Sequence, residues 1–398
     1  MTVALEVVFL LCCALIVWTQ IGYAAALALV VGARRLGADR TADAASAPAV
    51  SAGRALGTGA AALPALSLIV AAHDEETVIE AKVANALALE YPRDRLQVIV
   101  ACDGCSDATA ARARGAGADI VLELPRGGKV RAQDAAVGQA RGELVAFSDA
   151  NALWEPDAAR ALAGAFADPR VGYACGQVRF VQAGGPGSGN QEGVYWRYEL
   201  AVRGLESRLS SITAGNGAIY ATRRESYISV DPIMGHDLSL PFNMVKRGWR
   251  AIYTPDARAS EKMVPSLRGE FARKRRMMSH TWPIVLQGGM LSPRGYTPGY
   301  AVMILSHRLL RYATPALHLL ALGANAALVA LSAGTLYEVT LGLQLALLLA
   351  AALAGAVPAR ALLIARYYVL TTASLAAGLW DWLRHGTDAS WEAAEGTR

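Results

Sequence analysis

The segment Val145-Ala-Phe-Ser-Asp-Ala-Asn151 decides the fold that we predict for this chain. It is a short apolar run that ends at Asp149, and a turn and a new helix start follow it, so a carboxylate stands at the carboxyl end of a predicted buried strand. Ligands of open α/β sheets bind at this end of the strands. A carboxylate in that place can bind a divalent cation, and the cation can bind a diphosphate.

Strand and helix patterns alternate on both sides of this segment. The predicted strands are residues 66–71, 96–101, 120–124, 144–147 and 171–180. The predicted helices between them are residues 75–89, a segment after Ser106, and residues 129–140. This alternation predicts right-handed crossovers and an α/β domain with a mainly parallel sheet that is covered by helices on both faces.

The start of the chain is apolar. Hydrophobic residues make up 54% of the 398 residues and charged residues 18%, and the apolar excess is concentrated at the two ends. Residues 3–31 carry one charge, at Glu6, and are longer than the ~20 residues that span a bilayer. Because Arg34 and Arg35 follow them, the positive-inside rule predicts an uncleaved anchor with its N-terminus outside and the next residues in the cytoplasm.

The other end of the chain contains three further apolar segments. They are residues 312–337, 339–359 and 361–380. Each is long enough to span a bilayer, and the charges beside them alternate from Arg311 to Glu338 to Arg360. A simple count therefore leaves the tail from Asp381 outside. The last segment is the weakest span, and a position at the membrane interface is its alternative.

These patterns predict five parts of a multi-pass protein of the cell membrane. They are an N-terminal transmembrane anchor (1–33), a flexible linker rich in Ala, Gly, Ser and Pro (34–65), a cytoplasmic α/β domain (66–266), basic membrane-interface segments (267–311), and a C-terminal transmembrane region and tail (312–398). The net charge of +5 is modest. Beside membrane segments it favours anionic lipid and phosphate over nucleic acid as partners.

Acidic residues recur at or just after the predicted strand ends. Asp74 and Glu75 follow the first strand, Asp103 the second and Asp149 the fourth. Each one alone is typical of a helix cap or a turn. Because the carboxyl ends of parallel strands share one sheet edge, the set predicts a single binding cleft. The pair Cys102 and Cys105 has redox-motif spacing, but two small residues beside a turn is the simpler interpretation.

Four segments in this region resemble the family-2 inverting glycosyltransferases, whose membrane-bound members include cellulose and hyaluronan synthases. Residues 68–76, Leu-Ile-Val-Ala-Ala-His-Asp-Glu-Glu, resemble the family's opening "IPAYNEE". Cys102-Asp-Gly-Cys-Ser-Asp107 resembles "DGSxD", and Gly127-Gly-Lys129 resembles the "GK" before a helix. Asp149-Ala-Asn151 stands in the place of the DxD. The order and spacing of these parts cover about residues 66–277 and imply a GT-A-like fold.

The resemblance implies a donor site for a nucleotide sugar. Ala72, Glu75 and Asp103 would surround the base and ribose, and Lys129 would reach the nucleotide or its phosphates. Asp149 would bind Mg²⁺ or Mn²⁺ on the diphosphate. Asn151 replaces the last acid of the DxD and keeps an oxygen ligand without its charge. His73 and Asp74 replace the usual aromatic residue and Asn.

The resemblance also implies an acceptor side. Gly235-His-Asp-Leu238 resembles the family's "ED" motif, so Asp237 would be the general base, and His236 would tune it or orient the acceptor. A helix cap is the alternative interpretation of Asp237. Gly215, Asn216 and Gly217 stand where the family has a turn of small residues that borders the acceptor pocket.

A basic segment, Phe271-Ala-Arg-Lys-Arg-Arg-Met277, falls where many membrane-bound members have a "QxxRW" motif. Arg276 matches the Arg of that motif, while Arg273 and Met277 replace the Gln and the Trp. An Arg fork suits the departing diphosphate. A basic helix on an anionic leaflet is the alternative, and the two replacements weaken the case for a processive polymerase.

The function implied by the resemblance is transfer of a sugar, with inversion, from a nucleoside-diphosphate donor to a hydroxyl of a membrane lipid or polysaccharide at the cytoplasmic face. A non-catalytic assembly or binding subunit is one alternative, and Asn151 is its best argument. A metal-dependent hydrolase is the other. Its metal cluster would be drawn from His73, Asp74, Asp149, His236 and Asp237.

Overall fold

The computed structural model describes residues 2–42, 63–181, 191–262, 267–357 and 359–389. Eight strands of these residues form one sheet in the order β3-β2-β1-β4-β7-β6-β8-β5. They are β1 (Leu66–Ala72), β2 (Leu96–Asp103), β3 (Ile120–Leu124), β4 (Leu144–Asp149), β5 (Leu153–Trp154), β6 (Val171–Val181), β7 (Tyr220–Arg223) and β8 (Arg250–Lys262).

Helices precede, separate and follow these strands. The α-helices are α1 (Thr2–Val17), α2 (Tyr23–Ala42), α3 (Ile79–Leu87), α4 (Thr109–Gly115), α5 (Lys129–Val137), α6 (Ala158–Ala165), α7 (Gln191–Leu209), α8 (His236–Lys246), α9 (Leu267–Leu286), α10 (Pro298–Met303), α11 (Leu310–Tyr312), α12 (Thr314–Ala330), α13 (Thr335–Leu353) and α14 (Arg360–His385). Two π-helical turns, Trp18–Gly22 and Ile304–Leu309, and the 3₁₀ turn Arg93–Arg95 join some of them.

The first four strands form the predicted parallel half of the sheet. β1 lies between β2 and β4, with Leu66 opposite both Leu96 and Leu144. All residues of β1 are buried, because α3 packs Val83 beside Val70 on one face and α5 packs Ala132 beside Ile69 on the other. Burial on both faces explains the continuous apolar run of this strand.

The second half of the sheet makes it mixed. β7 pairs antiparallel with both β4 and β6, β8 pairs parallel with β6, and β5 pairs antiparallel with β8. Between residue 181 and about residue 266 the sequence indicates shorter elements with more polar residues. The structure instead has α7, a helix of 19 residues, and β8, a strand of 13 residues.

The N-terminal helical segment is longer than the predicted anchor. It runs from Thr2 to Ala42 through the π-helical turn, so the first residues of the predicted linker are helical, and residues 43–62 of that linker lie outside the described residues. Thr2–Leu36 is apolar and long enough to cross a membrane.

Two more helices of the described residues could cross a membrane by length and composition, α13 and α14. A fourth span results if α12 and the helical segment Pro298–Tyr312 count as one, although a bend of 64° separates them. The predicted span of residues 312–337 is wrong at its end, because α12 ends at Ala330 and Gly334 adopts a φ of 130° before α13 begins. Glu338 therefore lies in the first turn of α13, where the helix dipole favours an acidic side chain.

The basic region is also more regular than predicted, because α9 is one helix of 20 residues with Pro283 inside it. α14 packs against α9, and Gly378 permits the close approach: a Cβ there would lie 2.4 Å from the Cβ of Met278. Trp282 Nε1 donates to the carbonyl of Leu375 at 3.0 Å, which fixes the same contact.

The end of α14 lies against α9, and the residues that follow it reach the α/β domain. Asp381 pairs with Arg275, Thr387 Oγ1 donates to the carbonyl of Ser279 at 2.8 Å, and Ala389 lies against Gly128. These contacts favour a position of the tail on the same side of the membrane as the α/β domain, against the simple count from the sequence. Charge alternation cannot show that the last helix packs along α9.

Candidate active site

A cavity of about 1370 Å³ lies beyond the carboxyl end of β4, between the sheet and helices α7, α8, α9 and α14. Most of the site residues predicted from the sequence line it: Glu75, Lys129, Asp149, Asn151, Gly215, Asn216, Gly217, His236, Asp237 and Arg276. Ala72 and Asp103 are not among its walls, and they lie buried at the same sheet edge. The acidic residues therefore lie close together at one sheet edge, as predicted. Asp103 is buried behind the wall of the cavity and does not line it.

Asp103 holds the glycine loop that precedes α5. Its carboxylate accepts hydrogen bonds from the main-chain N–H of Gly127 at 2.7 Å and of Gly128 at 3.0 Å. Gly128 has a φ of 95°, which favours glycine, and it is the residue directly before Lys129. In this structure Asp103 thus positions Lys129 through the loop, whereas the resemblance places it beside the base.

Lys129 and Asp149 form an ion pair at the floor of the cavity. Burial alone would lower the pKa of Lys129, but the Asp149 carboxylate, together with Asp237 and Glu261, outweighs this effect and the pKa is raised. Asn151 lines the cavity two residues further along the chain. A carboxylate that already attracts a cation, with an amide oxygen nearby, has the donor set that Mg²⁺ or Mn²⁺ prefers.

Asp237 lies in the first turn of α8, and its main-chain oxygen accepts a hydrogen bond from Gly215 N–H at 2.7 Å. This bond ties the predicted acceptor turn to the predicted base. Gly235 is the N-cap of α8, so Asp237 is not the cap that the alternative interpretation assumed. Its carboxylate forms no hydrogen bond with the residues that the structure describes, which leaves it available to a ligand.

The turn Gly215-Asn216-Gly217, which we call the acceptor turn, is fixed by the side chain of Asn216. The absence of side chains at its two glycines permits close packing. Asn216 donates to the carbonyl of Gly176 at 2.5 Å and accepts from Ile219 N–H at 3.0 Å, so its amide fixes the turn. A Cβ on Gly215 would lie 2.0 Å from the hydroxyl of Tyr173. Gly217 lies beside Lys129, since a Cβ there would be 3.4 Å from the ammonium.

His236 is held in the core by two tyrosines. Its ring lies 2.8 Å from the hydroxyl of Tyr220 and 3.4 Å from that of Tyr227, and the side chain is 4% exposed. Burial, with a smaller contribution from the charge of Lys129, lowers its pKa to about 3. His236 is therefore neutral near pH 7, and its place favours a role in orientation over one in proton transfer.

Two charged residues that the sequence analysis missed lie beside Asp149. Burial first, and then the Asp149 carboxylate, raise the pKa of Glu261 to about 7, and Glu261 lines the cavity. Lys82 donates to the carbonyl of Ala152 at 2.6 Å, and burial lowers its pKa to about 7. The sequence could have indicated Lys82, because a lysine on the apolar face of a helix such as α3 rarely lacks a function or a partner.

Helix α9 presents its basic residues to the cavity. Arg273, Lys274 and Arg276 line it, while Arg275 turns away to Asp381. Lys274 also donates to the hydroxyl of Tyr367 on α14 at 2.6 Å. The segment in the place of the "QxxRW" motif is therefore a cavity wall and not only a membrane-facing surface.

The metal cluster of the hydrolase alternative is not assembled. Among the described residues, the one group of three His, Cys, Asp or Glu side chains with metal-ligand spacing is His73, Asp74 and Cys105. It excludes Asp149 and Asp237. The hydrolase interpretation therefore lacks its cluster.

Comparison with known proteins identifies the family. The sequence profile of "Glycosyltransferase like family 2" matches residues 64–279, more than half of the chain. The chain belongs to this family. The family predicted from the motifs and the predicted GT-A-like α/β fold are confirmed.

Curated relatives of this family 2 member include N-acetylglucosaminyltransferases. The chain is 29% identical over 215 residues to that of Rhizobium meliloti (strain 1021), covering 49% of this chain and 50% of the relative. It is 26% identical over 238 residues to that of Rhizobium leguminosarum bv. viciae, covering 53% and 54%. The chain thus spans about half the length of these relatives.

A solved structure resembles the chain over nearly its whole length. It is the mannosyltransferase PcManGT from Pyrobaculum calidifontis, in complex with GDP-Man and Mn²⁺. The TM-score is 0.64 at 26% identity, and the match covers 91% of this chain and 98% of the other. The similarity therefore extends beyond the α/β domain.

Proposed function

We propose that this protein transfers a sugar, with inversion, from a nucleoside-diphosphate donor to a hydroxyl of a membrane lipid or polysaccharide at the cytoplasmic face of the cell membrane. One observation carries the proposal: a single cavity holds Lys129, Asp149 and Asp237 and is walled by the basic helix α9 and the apolar helix α14. The names of the relatives and the GDP-Man bound to the mannosyltransferase support a nucleotide-sugar donor.

The donor half of the site is the floor of the cavity. Asp149 and Asn151 would hold Mg²⁺ or Mn²⁺, which when bound would neutralise charge on the diphosphate. Lys129 leaves its ion pair to contact the phosphates, and the glycine loop fixed by Asp103 sets where its ammonium can reach. Glu75 faces the side of the cavity on which the base and ribose would lie, next to Ala72 at the strand end.

The acceptor half is built around Asp237. Its carboxylate takes the proton of the acceptor hydroxyl as that oxygen forms its bond to the anomeric carbon. The bond between the anomeric carbon and the diphosphate oxygen breaks on the opposite face, and its electron pair leaves with the diphosphate. Lys129 and Arg276 stabilise the charge that develops there. Displacement from the face opposite the leaving group inverts the anomeric carbon.

The predicted parts of the chain fit this proposal after revision of their boundaries. Residues 64–279 form the catalytic unit, the helix that begins at Thr2 is the anchor, and α12 to α14 form the membrane region. The basic residues of α9 lie where the cavity meets these apolar helices. That position brings a membrane-borne acceptor beside the donor.

The test is a donor screen on the purified full-length protein, scored by release of nucleoside diphosphate with and without Mn²⁺. We expect release with one donor class, and a loss of 10²-fold or more in Asp237→Asn with nucleotide binding retained. Asp256→Asn, at an exposed acid distant from the cavity, is the matched control. No release with any donor across lipid and glycan acceptors would contradict the enzyme.

A non-catalytic subunit predicts a different result for the same variants. In that case Asp149→Ala and Asp237→Asn would leave the amount of cellular glycan unchanged. The retained ion pair at Asp149 and the ligand-ready carboxylate of Asp237 favour the enzyme, because a binding subunit needs neither.

A further inference from the structure

The cavity continues from the reaction centre to a group of buried arginines, which we call the arginine cluster: Arg203 of α7, Arg308 of the π-helical turn and Arg311 of α11. All three line the cavity. They are 4%, 7% and 8% exposed, respectively. Nothing in the sequence motifs accounts for three buried guanidinium groups at the place where the α/β domain meets the membrane helices.

The acidic residues around the arginine cluster do not balance its charge. Glu199 pairs with Arg311 and lies 4.0 Å from Arg308. Glu206 binds His307 at 2.7 Å and is also bonded to Thr213 N–H at 2.9 Å. These two carboxylates face Arg308, Arg311 and His307, and no carboxylate of the described residues pairs with Arg203. An excess positive charge of this kind is costly in a buried site unless an anion accompanies it.

Two of the arginines also have donors without acceptors. Arg308 Nη2, Arg203 Nε and Arg203 Nη1 are buried and have no hydrogen-bond partner among the described residues. One nitrogen of each arginine is fixed by a hydrogen bond: Arg308 Nε donates to Thr213 Oγ1 at 2.9 Å, and Arg203 Nη2 donates to the carbonyl of Gly215 at 2.9 Å. Buried guanidinium donors held in this way are suited to the oxygens of a phosphate.

The same cavity also has an apolar part of its wall, which α9 and α14 contribute. Leu363, Ile364 and Leu375 of α14 line it together with Ile284 of α9. One cavity thus offers a place for an anionic head group and a wall for hydrocarbon. That combination fits an amphiphile and not a free polysaccharide chain.

We propose that the arginine cluster binds the phosphate of an anionic lipid that carries a free hydroxyl, and that this lipid is the acceptor. The assignment rests on the proposed function. Arg203 bonds to Gly215, and Gly215 bonds to Asp237, so a phosphate held at Arg203 brings the neighbouring hydroxyl of the lipid to the base. The hydroxyl oxygen forms the new bond to the anomeric carbon and its proton passes to Asp237. The phosphate of the lipid keeps all its bonds.

Binding is tested on the full-length protein in a nonionic polyoxyethylene detergent, which contains no phosphate. Phosphatidylglycerol has a phosphate and free hydroxyls, and diacylglycerol has a hydroxyl without a phosphate. We expect native mass spectrometry to show bound phosphatidylglycerol and little bound diacylglycerol. Asp237→Asn should bind phosphatidylglycerol as the wild type does.

The variants Arg308→Gln and Arg203→Gln should each weaken this binding by about 10-fold or more, and Arg308→Lys should weaken it less than Arg308→Gln. Arg294→Gln is the matched control, because Arg294 is an exposed arginine of the same region. Retained binding of nucleoside diphosphate with Mn²⁺ shows that each variant is folded. Equal binding of the two lipids, or normal binding by both glutamine variants, would overturn the proposal.

Two further measurements are informative. One distinguishes a lipid phosphate from free phosphate, and the other distinguishes the lipid-acceptor proposal from the proposed function. Inorganic phosphate at millimolar concentration that displaces the lipid completely would show a free-phosphate site and overturn the lipid assignment. Release of nucleoside diphosphate should rise with phosphatidylglycerol, and an equal rise with diacylglycerol would overturn the acceptor assignment. Binding that depends on Arg308, without donor turnover for any acceptor, would support the anion site and contradict the proposed function.

Discussion

The ammonium of Lys129 pairs with the carboxylate of Asp149 at the carboxyl end of the sheet. The pair joins the start of α5 to the end of β4, consecutive elements whose two charged residues are 20 positions apart in sequence. In the proposed reaction both partners must exchange this contact for others, because Asp149 binds a cation and Lys129 binds phosphate. Without a donor, the ion pair therefore keeps both side chains where a metal ion and a diphosphate would bind together.

Replacement of Lys129 should have opposite effects on the cation and on the nucleotide. In Lys129→Gln the Asp149 carboxylate loses its competing ammonium, so Mn²⁺ alone should bind more tightly. The phosphates lose a charged hydrogen bond, so nucleoside diphosphate should bind about 10-fold or more weakly. Free Mn²⁺ measured by electron paramagnetic resonance and nucleotide measured by calorimetry give the two affinities. Arg224→Gln is the control, and parallel changes in both affinities would contradict the competition.

Gly215→Ala should destabilise the protein through a clash with Tyr173. The added Cβ would lie 2.0 Å from a hydroxyl that is buried and has no hydrogen-bond partner among the described residues. We expect a loss of about 1–3 kcal/mol in thermal unfolding experiments. Tyr173→Phe should restore part of it. Gly164→Ala is the matched control, since a Cβ at that helical position meets nothing within 4 Å. Equal effects of the two alanines would refute the clash.

Acid should destabilise the protein partly through His236. Its pKa in the folded protein is about 3, below the unfolded value of 6.5. Between these values the unfolded chain binds a proton that the folded protein does not, so stability falls as the pH falls below 6.5. The contribution at pH 5 is about 2 kcal/mol. His236→Gln should therefore lose less melting temperature between pH 7.5 and pH 5 than the wild type. His385→Gln, at an exposed histidine, should lose as much as the wild type.

The segment after α14 should be on the same side of the membrane as the α/β domain. Cysteines placed at the exposed positions His385 and Glu90 should react alike with a membrane-impermeant thiol reagent in spheroplasts, and alike again after permeabilisation. The contacts of Asp381 and Thr387 with α9 are the reason. A parent variant without reactive native cysteines provides the background. Labelling of one position alone in intact spheroplasts would show that α14 crosses the membrane.

The sequence predicted the parallel half of the sheet well, because its strands are apolar runs that burial on both faces requires. It also predicted that Asp149 and Asp237 lie together, Asp149 from its place at a strand end and Asp237 from the resemblance of its segment to the family's motif. Neither periodicity nor motif indicated that the loop before Lys129 would use the oxygens of Asp103. That depends on where β2 ends relative to a loop 24 residues further on.

The membrane region was predictable in composition and not in arrangement. Hydropathy shows that α14 is apolar, but its path along α9 depends on the missing side chain of Gly378 and on the bond from Trp282 to Leu375. Little in the sequence indicated that the charged residues of α7 are buried. Glu199 and Arg203 are one helical turn apart, which is typical of an exposed ion pair, and only the packing of the membrane helices shows that both are buried.

Helix α7 connects the acceptor turn with the buried polar residues beside the membrane helices. Through Arg203 it bonds to Gly215, and through Glu199 and Glu206 it bonds to Arg311 and His307 near the membrane. Because a helix is stiff along its axis, we expect α7 to transmit to the acceptor turn a tilt that bilayer thickness imposes on the apolar helices. The lipid composition around the protein would then set how an arriving hydroxyl meets the carboxylate, as well as which molecules arrive.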